Sequence, residues 1–548
     1  MISNKTYIGL FALFTLVYFR GLFSVVYGID GSIYASISKT IFETNNWLEL
    51  YLKGNDYLDK PPLHFWLSAT SFKLFGVNSF AYKFPSFLFT ILGAFSTYKL
   101  GKLLYSKEIG KLSALLFYSC FAIILINQDV RTDTILVGIV VYSIWQLIAY
   151  LKTEKYIHLI IGFIGIGLAM LTKGPIGLMV PVLALGTHFI IKKEWKNIFK
   201  WQWILGIVII AIVLFPMVWG LYHQFDLQPT NYFTLSSGME GTGTSGLKFY
   251  FWDQSFGRLT GGNKEWNNHS SKLFFTHTYL WSFLPWSILG IAGLFKQLKN
   301  SFKNIKTSEF YLVGAIILPF IAFSMSQFHL PHYIYVFFPF WMILTAKYIA
   351  EMNFNSFYSN ILNKTQGVLS ILFIGVSVLV VGYIFPDNAS VNWVVIIVFS
   401  FLILYYILKR KGMWQMVVSS SLGILLIAFV FNFQFIPQIT KYDGFSQAAL
   451  FSKTLNVNNI YSNSEKSFIF DLHSNKTVIL KGLEELKELQ NNNNYVFIES
   501  KDLKFLQDNY SVKKVYTFKH YPITNIRLPF LNPKTRKNTM EEVCLVEI

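Results

Sequence analysis

The feature that most constrains this chain is a series of apolar runs, each near the roughly 20 residues that an α-helix needs to cross a bilayer. About 13 such runs can be counted, near 7–27, 82–104, 111–127, 133–151, 156–172, 174–191, 203–222, 273–295, 309–326, 331–349, 366–385, 391–409 and 413–432. Backbone polar groups in lipid have no water to bond, so runs of this kind fold as helices packed on one another. Composition agrees: of 548 residues only 14% are charged, against about 25% in a soluble domain. The expected fold class is an α-helical polytopic membrane protein. The N-terminal run lacks a small-residue cleavage site and reads as a retained first helix.

A net charge of +18 would suit a nucleic-acid binder, but the basic residues sit in short loops between the runs. Lys102, Lys107 and Lys111 form one cluster, Lys152 and Lys155 a second, and Lys192, Lys193, Lys196 and Lys200 a third. Lys296, Lys299, Lys303 and Lys306 form a fourth, and Lys409, Arg410 and Lys411 a fifth. With the N-terminus cytoplasmic, all five fall on the cytoplasmic side, as the positive-inside rule requires. The partners this implies are membrane lipids, and no nucleic acid is expected. Cys120 lies in an apolar run and Cys544 near the end of the chain, so no structural disulfide is expected.

The opposite face collects the chemistry-bearing residues. It receives the loop 28–83 with Asp30, Tyr34 and Asp59-Lys60-Pro61-Pro62, then Asp129-Val-Arg131-Thr-Asp133 and Lys173-Gly174-Pro175. The loop 223–272 and His329-Leu-Pro-His332-Tyr333 follow on the same face. Ionisable groups beside a bilayer are costly to desolvate, and their gathering on one side marks a functional site. The chain divides into a membrane domain, 1–435, and a polar C-terminal domain, 436–548. The latter has a strand-like Tyr495–Ile498 and a helix-like Leu483–Leu489, so a small extracytoplasmic α/β domain is expected.

The ordered motifs Asp30-x-x-x-Tyr34, Trp47, Asp59-Lys60-Pro61-Pro62, Phe75-Gly76 with Phe84-Pro85, and Arg131-Thr-Asp133 carry a family resemblance. Leu171-Thr-Lys173-Gly174-Pro175, Arg258-Leu-Thr-Gly-Gly262, Leu284-Pro285-Trp286 and Leu330-Pro331-His332-Tyr333 continue it. The chain resembles the membrane glycosyltransferases that use polyprenyl-phosphate sugars, the GT-C-type superfamily of protein O-mannosyltransferases and the aminoarabinose transferases that modify lipid A. The resemblance spans roughly Asp30 to Tyr333. It implies a bundle of GT-C type and transfer of a sugar from a polyprenyl-phosphate donor to a lipid, glycan or protein acceptor, with inversion. It also implies a bacterial inner membrane, with the site and C-terminal domain periplasmic.

On that resemblance Asp30 is the base that takes the proton from an acceptor hydroxyl, and Asp133 shares that role or orients the acceptor. The rival reading of Asp30 is a helix-ending residue that caps backbone N–H groups. Lys60, its backbone restricted by Pro61-Pro62, is aimed at the leaving phosphate. Arg258, Lys173 and Arg131 are the other phosphate-binding candidates; Arg131 pairs with Asp133 or with phosphate. Tyr34, His332 and Tyr333 are substrate-binding candidates. Asp59 orients Lys60 or holds a divalent metal, the one cofactor candidate. The family's Asp-Glu-x-Arg-Tyr pattern has Gly31 for Glu and Ile33 for Arg here, and Asp253-Gln254-Ser255 stands for Glu-His-Asn. The alternative function is a transporter or flippase of lipid-linked sugars. Transporters place charges near the midplane and repeat their halves, whereas these charges gather at helix ends.

Overall fold

The chain enters the bundle through the helix Asn4–Gly21, which Ser3 caps by accepting from the Thr6 amide at 3.1 Å. The first apolar run was expected to reach residue 27, with Asp30 where it emerges. The helix instead stops at Gly21, and Gly28, at φ 88°, turns the chain into a second helix, Ile29–Thr44. Asp30 therefore opens a helix, in the first turn, where the helix dipole favours a carboxylate. A side chain at Gly28 would also press on Asp129, whose Oδ1 lies 3.3 Å from the Cβ position. The computed structural model describes residues 3–228, 232–234, 240–257, 271–386, 390–409, 412–455, 457–489 and 493–548.

Among the described residues eight helices are long and apolar enough to span a membrane. The number becomes ten if two bent pairs each count once. These pairs are Lys107–Tyr118 with Phe121–Gln128, bent by 50°, and Phe274–Ser282 with Ser287–Lys303, bent by 117°. The count of about 13 is thus not confirmed by this criterion. The runs at 174–191 and 309–326 form the shorter helices Ile176–Lys192 and Tyr311–Met325, and the first helix carries Asn4, Lys5 and Arg20 within its 18 residues.

The helix Thr132–Thr153 is the hub. It packs against Ser79–Leu104 and Tyr156–Lys173 and is buried over most of its length. Gly138 allows the close approach of Ser79–Leu104, since a Cβ there would stand 2.2 Å from the Phe89 carbonyl oxygen. Small residues at such crossings are how helices associate in lipid. At 1.5 Å per residue its 22 residues separate Asp133 at one end from Lys152 at the other by about 30 Å, a bilayer core.

At the Asp133 end a four-stranded sheet joins the two long loops. Tyr51–Leu52 pairs antiparallel with Asn55–Tyr57, which runs parallel to Tyr232–Thr234, itself antiparallel to Glu240–Thr242. This sheet ends directly before Asp59-Lys60.

The last candidate span runs Met413–Tyr442, past the expected break at 435, and the helix Gly444–Ser452 follows. The tail then forms a five-stranded mixed sheet in the order Ile479–Leu480, Ile460–Ser462, Tyr495–Glu499, Glu541–Glu547, Lys514–His520. The first three strands are parallel, and the remaining pairings are antiparallel. Tyr495–Ile498 is buried on both faces, as the central strand of a covered sheet should be, and Leu483–Leu489 is a short helical turn. The fold is an α-helical polytopic membrane protein with a small C-terminal α/β domain.

Candidate active site

Three helix ends and one loop meet beside the hub helix. Arg131 precedes its first turn and divides its guanidinium between two acids. Nη1 donates to Asp30 Oδ2 at 2.5 Å, while Nε and Nη2 donate to Asp129 Oδ2 at 2.9 and 2.7 Å. Sequence reasoning paired Arg131 with Asp133 or with phosphate; its carboxylate partners are Asp30 and Asp129 rather than Asp133. Burial opposes its charge, but Asp129 and Asp30 outweigh burial and push its pKa up. Asp30 keeps about a quarter of its side chain exposed, so the carboxylate that Arg131 holds in place is still open to solvent.

Asp133, two residues on, faces another cation. Lys173 ends the helix Tyr156–Lys173, which Gly174 terminates at φ 78°, and its Nζ donates to Asp133 Oδ1 at 2.5 Å. The same ammonium stands 4.3 Å from the Tyr333 ring centroid, a cation–π arrangement. His332 Nε2 lies 3.6 Å from Asp133 Oδ2. Asp133 is only 4% exposed, so its carboxylate serves to fix Lys173.

Lys60 Nζ donates to Asp59 Oδ2 at 2.8 Å. The Gln254 amide donates to the Asp59 carbonyl and, at 3.3 Å, to Asp59 Oδ1. Among the described residues no three His, Cys, Asp or Glu side chains converge on one point.

Lys60 and Lys173 both line a cavity of about 350 Å³, with Gln254 and Tyr333. Much of the remaining wall is apolar, including Met179 and Phe323. Tyr34 does not reach it. Tyr34 is 2% exposed and packs edge-on to His64 and against Phe65, with centroids 5.8 and 5.5 Å away, and burial drives its pKa up. The expectation of a substrate contact at Tyr34 is corrected to a core residue one helical turn from Asp30. Arg258 lies outside the described residues.

Sequence reasoning placed Asp129 and Gln254 in motifs without giving them a role, and it missed a set of bonds that hold the Asp30 helix from behind. Asp471, 1% exposed, accepts from Lys53 Nζ at 2.5 Å, Ser36 Oγ at 2.6 Å and the Val478 amide at 3.1 Å. Lys39 Nζ donates to the Asp471 carbonyl at 2.9 Å, and His473 Nε2 sits 3.0 Å from the Val26 carbonyl. Ser36 and Lys39 belong to the Asp30 helix, so the C-terminal domain grips that helix directly. Asp129 and Gln254 had local signals, one two residues before Arg131 and the other in the Asp253-Gln254-Ser255 motif; the Asp471 bonds had none.

A helical membrane bundle with acids and cations gathered at one set of helix ends, around a cationic apolar cavity, defines a class. The chain resembles the GT-C-type membrane glycosyltransferases that use polyprenyl-phosphate sugars. A sequence model of the family described as dolichyl-phosphate-mannose-protein mannosyltransferase matches residues 59–219. The undecaprenyl phosphate-alpha-4-amino-4-deoxy-L-arabinose arabinosyl transferase of Wigglesworthia glossinidia brevipalpis is 27% identical over 507 residues, covering 87% of this chain and 81% of that protein. The protein of the same name from Enterobacter sp. (strain 638) is 25% identical over 346 residues, covering 62% of this chain but only 58% of the relative. In fold, the crystal structure of ArnT from Cupriavidus metallidurans bound to undecaprenyl phosphate superposes with a TM-score of 0.75 at 16% identity, covering 100% of this chain and 98% of that one. The Archaeoglobus fulgidus oligosaccharyltransferase in its apo form gives 0.51 at 11% identity, covering 92% and 70%.

Proposed function

We propose that the protein is an integral membrane glycosyltransferase that moves a sugar from a polyprenyl-phosphate donor to an extracytoplasmic acceptor, which is lipid A, a protein or another glycan. The observation that carries this reading is the cavity in which Lys60 and Lys173 line a largely apolar wall. A phosphate on a hydrocarbon chain has the matching chemistry, and the relatives' names specify an undecaprenyl-phosphate sugar donor.

The acceptor hydroxyl oxygen attacks the sugar C1 as the bond from C1 to the phosphate oxygen breaks. Asp30 takes the hydroxyl proton, and Arg131 holds Asp30 in place through the 2.5 Å bond. The electron pair leaves with polyprenyl phosphate, whose growing negative charge meets Lys60 and Lys173. A single displacement inverts C1, unlike the two-step route of retaining glycosidases. Asp133 fixes Lys173 and so acts through it. Arg258, from its place in the sequence motif, is a further phosphate candidate.

The protein sits in the bacterial inner membrane with the Asp30 end periplasmic, because the basic loops from Lys102 to Lys306 fall on the other side. The residues after Tyr442, where the last candidate span ends, form the periplasmic domain. The test is mass spectrometry of lipid A, envelope glycoproteins and lipid-linked sugars from a deletion strain, with and without wild type or Asp30→Asn. A sugar-sized mass lost on deletion and restored by wild type alone identifies the acceptor. Unchanged masses in all three fractions would overturn the reading.

A further inference from the structure

We propose that the segment Tyr521–Met540 of the C-terminal domain is a bilayer anchor that seats Leu528 among the acyl chains of the outer leaflet, with basic residues at the anionic headgroups. The partner is the phospholipid bilayer itself.

The segment is fastened to the end of a span. Arg536 is buried, stacks on Phe385 at 4.5 Å, and donates through Nη2 to the Ile384 carbonyl at 2.5 Å. Ile384 is the last residue of the candidate span Phe357–Ile384. The Tyr383 hydroxyl donates to Asn532 Oδ1 at 3.0 Å. These bonds fix the segment's height at the level where the span ends.

From there a mostly apolar groove continues, with Asn532 and Thr535 on its wall. Leu528, Pro529 and Leu531 share a groove of about 560 Å³ with Leu379 and Tyr383. Leu379 is half exposed on the lipid-facing side of the span and lies about 6 Å deeper than Tyr383, at 1.5 Å per residue. Leu528 is 81% exposed and Ile526 37%. A leucine presented so fully, on a groove whose other wall faces lipid, is covered by lipid rather than water.

Charge agrees. Residues 521–540 contain Arg527, Lys534, Arg536 and Lys537 and no acid. Apart from the buried Arg536 these cations are exposed, the pattern of a segment that lies on an anionic interface with an apolar tip inserted. The segment also stands at the reaction end of the bundle, since Thr524 Cγ2 lies 3.4 Å from the Cβ position of Gly28, two residues before Asp30.

The test uses the full chain with Leu528→Cys carrying a nitroxide label, in nanodiscs of phosphatidylethanolamine and phosphatidylglycerol. Cys120 and Cys544 are buried, and the labelled parent sets the background. The label at 528 should collide severalfold more often with molecular oxygen than with a water-soluble nickel chelate. A label on Lys519→Cys, exposed on the sheet's edge strand, should show the reverse. Ile526→Cys repeats the measurement at a second position. Nickel accessibility at 528 and 526 equal to that at 519 would overturn the anchor.

Discussion

Asp471→Ala tests how the C-terminal domain holds the reaction helix. Asp471 is the buried partner of Lys53, whose side chain is 4% exposed, and it also takes the Ser36 hydroxyl of the Asp30 helix. Burial pushes the Lys53 pKa down while Asp471 pulls it back, so without Asp471 the ammonium is left desolvated. Breaking one side of a buried ion pair costs about 3–5 kcal/mol. If that loss falls on local opening, at about 1.4 kcal/mol per tenfold the open population rises by roughly 100-fold or more. Hydrogen exchange on peptides from Ile29–Thr44, measured by mass spectrometry in nanodiscs, should quicken by that factor. Peptides from Thr132–Thr153 should not change. Asp471→Ala with Lys53→Met removes both charges and should recover most of the protection, because replacing a buried pair by apolar groups is often near neutral. Unchanged exchange of the Asp30 helix in a folded Asp471→Ala protein would refute the clamp.

Asp30→Asn should lower transfer in proteoliposomes by about 10²–10⁴, the range of a general base, with folding intact; a near-normal rate removes Asp30 from that role. Lys173→Met with Asp133→Asn removes the cation without stranding a buried carboxylate. It should weaken undecaprenyl phosphate binding by about tenfold to a hundredfold, corresponding to roughly 1.5–3 kcal/mol for a charge-assisted hydrogen bond, and unchanged binding would count against Lys173 as a phosphate contact. Burial lowers the pKa of His64 to about 3 and of His473 to about 4, from 6.5. Their folded values lie below the unfolded one, so their stability contribution is full above pH 6.5 and is lost as pH falls. The loss is roughly 1.4 kcal/mol per pH unit for each, about 2 kcal/mol each at pH 5. His64→Gln with His473→Gln should flatten the thermal stability profile between pH 6.5 and 5, and an unchanged slope would contradict this.

Local features of the sequence were the readable ones. Apolar runs, the covalent neighbours Asp59 and Lys60, and the helix break after Lys173 all announce themselves within a few residues. The span count is not confirmed by length and apolarity alone, because some runs make shorter helices, Ile176–Lys192 and Tyr311–Met325, and others bend, as at Ser119–Cys120 between Lys107–Tyr118 and Phe121–Gln128. The i,i+4 spacing of Asp30 and Tyr34 suggests one functional face, but the helix passes from solvent into the core within that turn, so Tyr34 is buried. The Arg131–Asp30 pair spans 101 residues and the Lys53–Asp471 pair 418. No pattern in one sequence marks either, since a lone lysine and a lone aspartate in distant loops have no shared period. The residues that bring the site together were therefore the least legible.

The grip of Asp471 on the reaction helix bears on how such proteins are recombined. A chimera cut at the boundary between membrane and C-terminal domains would exchange Asp471 while leaving Ser36, Lys39 and Lys53 behind. Its parts would each be intact and the reaction helix unsupported. These four residues are one unit of inheritance, though more than 400 positions separate Asp471 from the other three. A successful graft of the C-terminal domain carries the segment 29–53 with it.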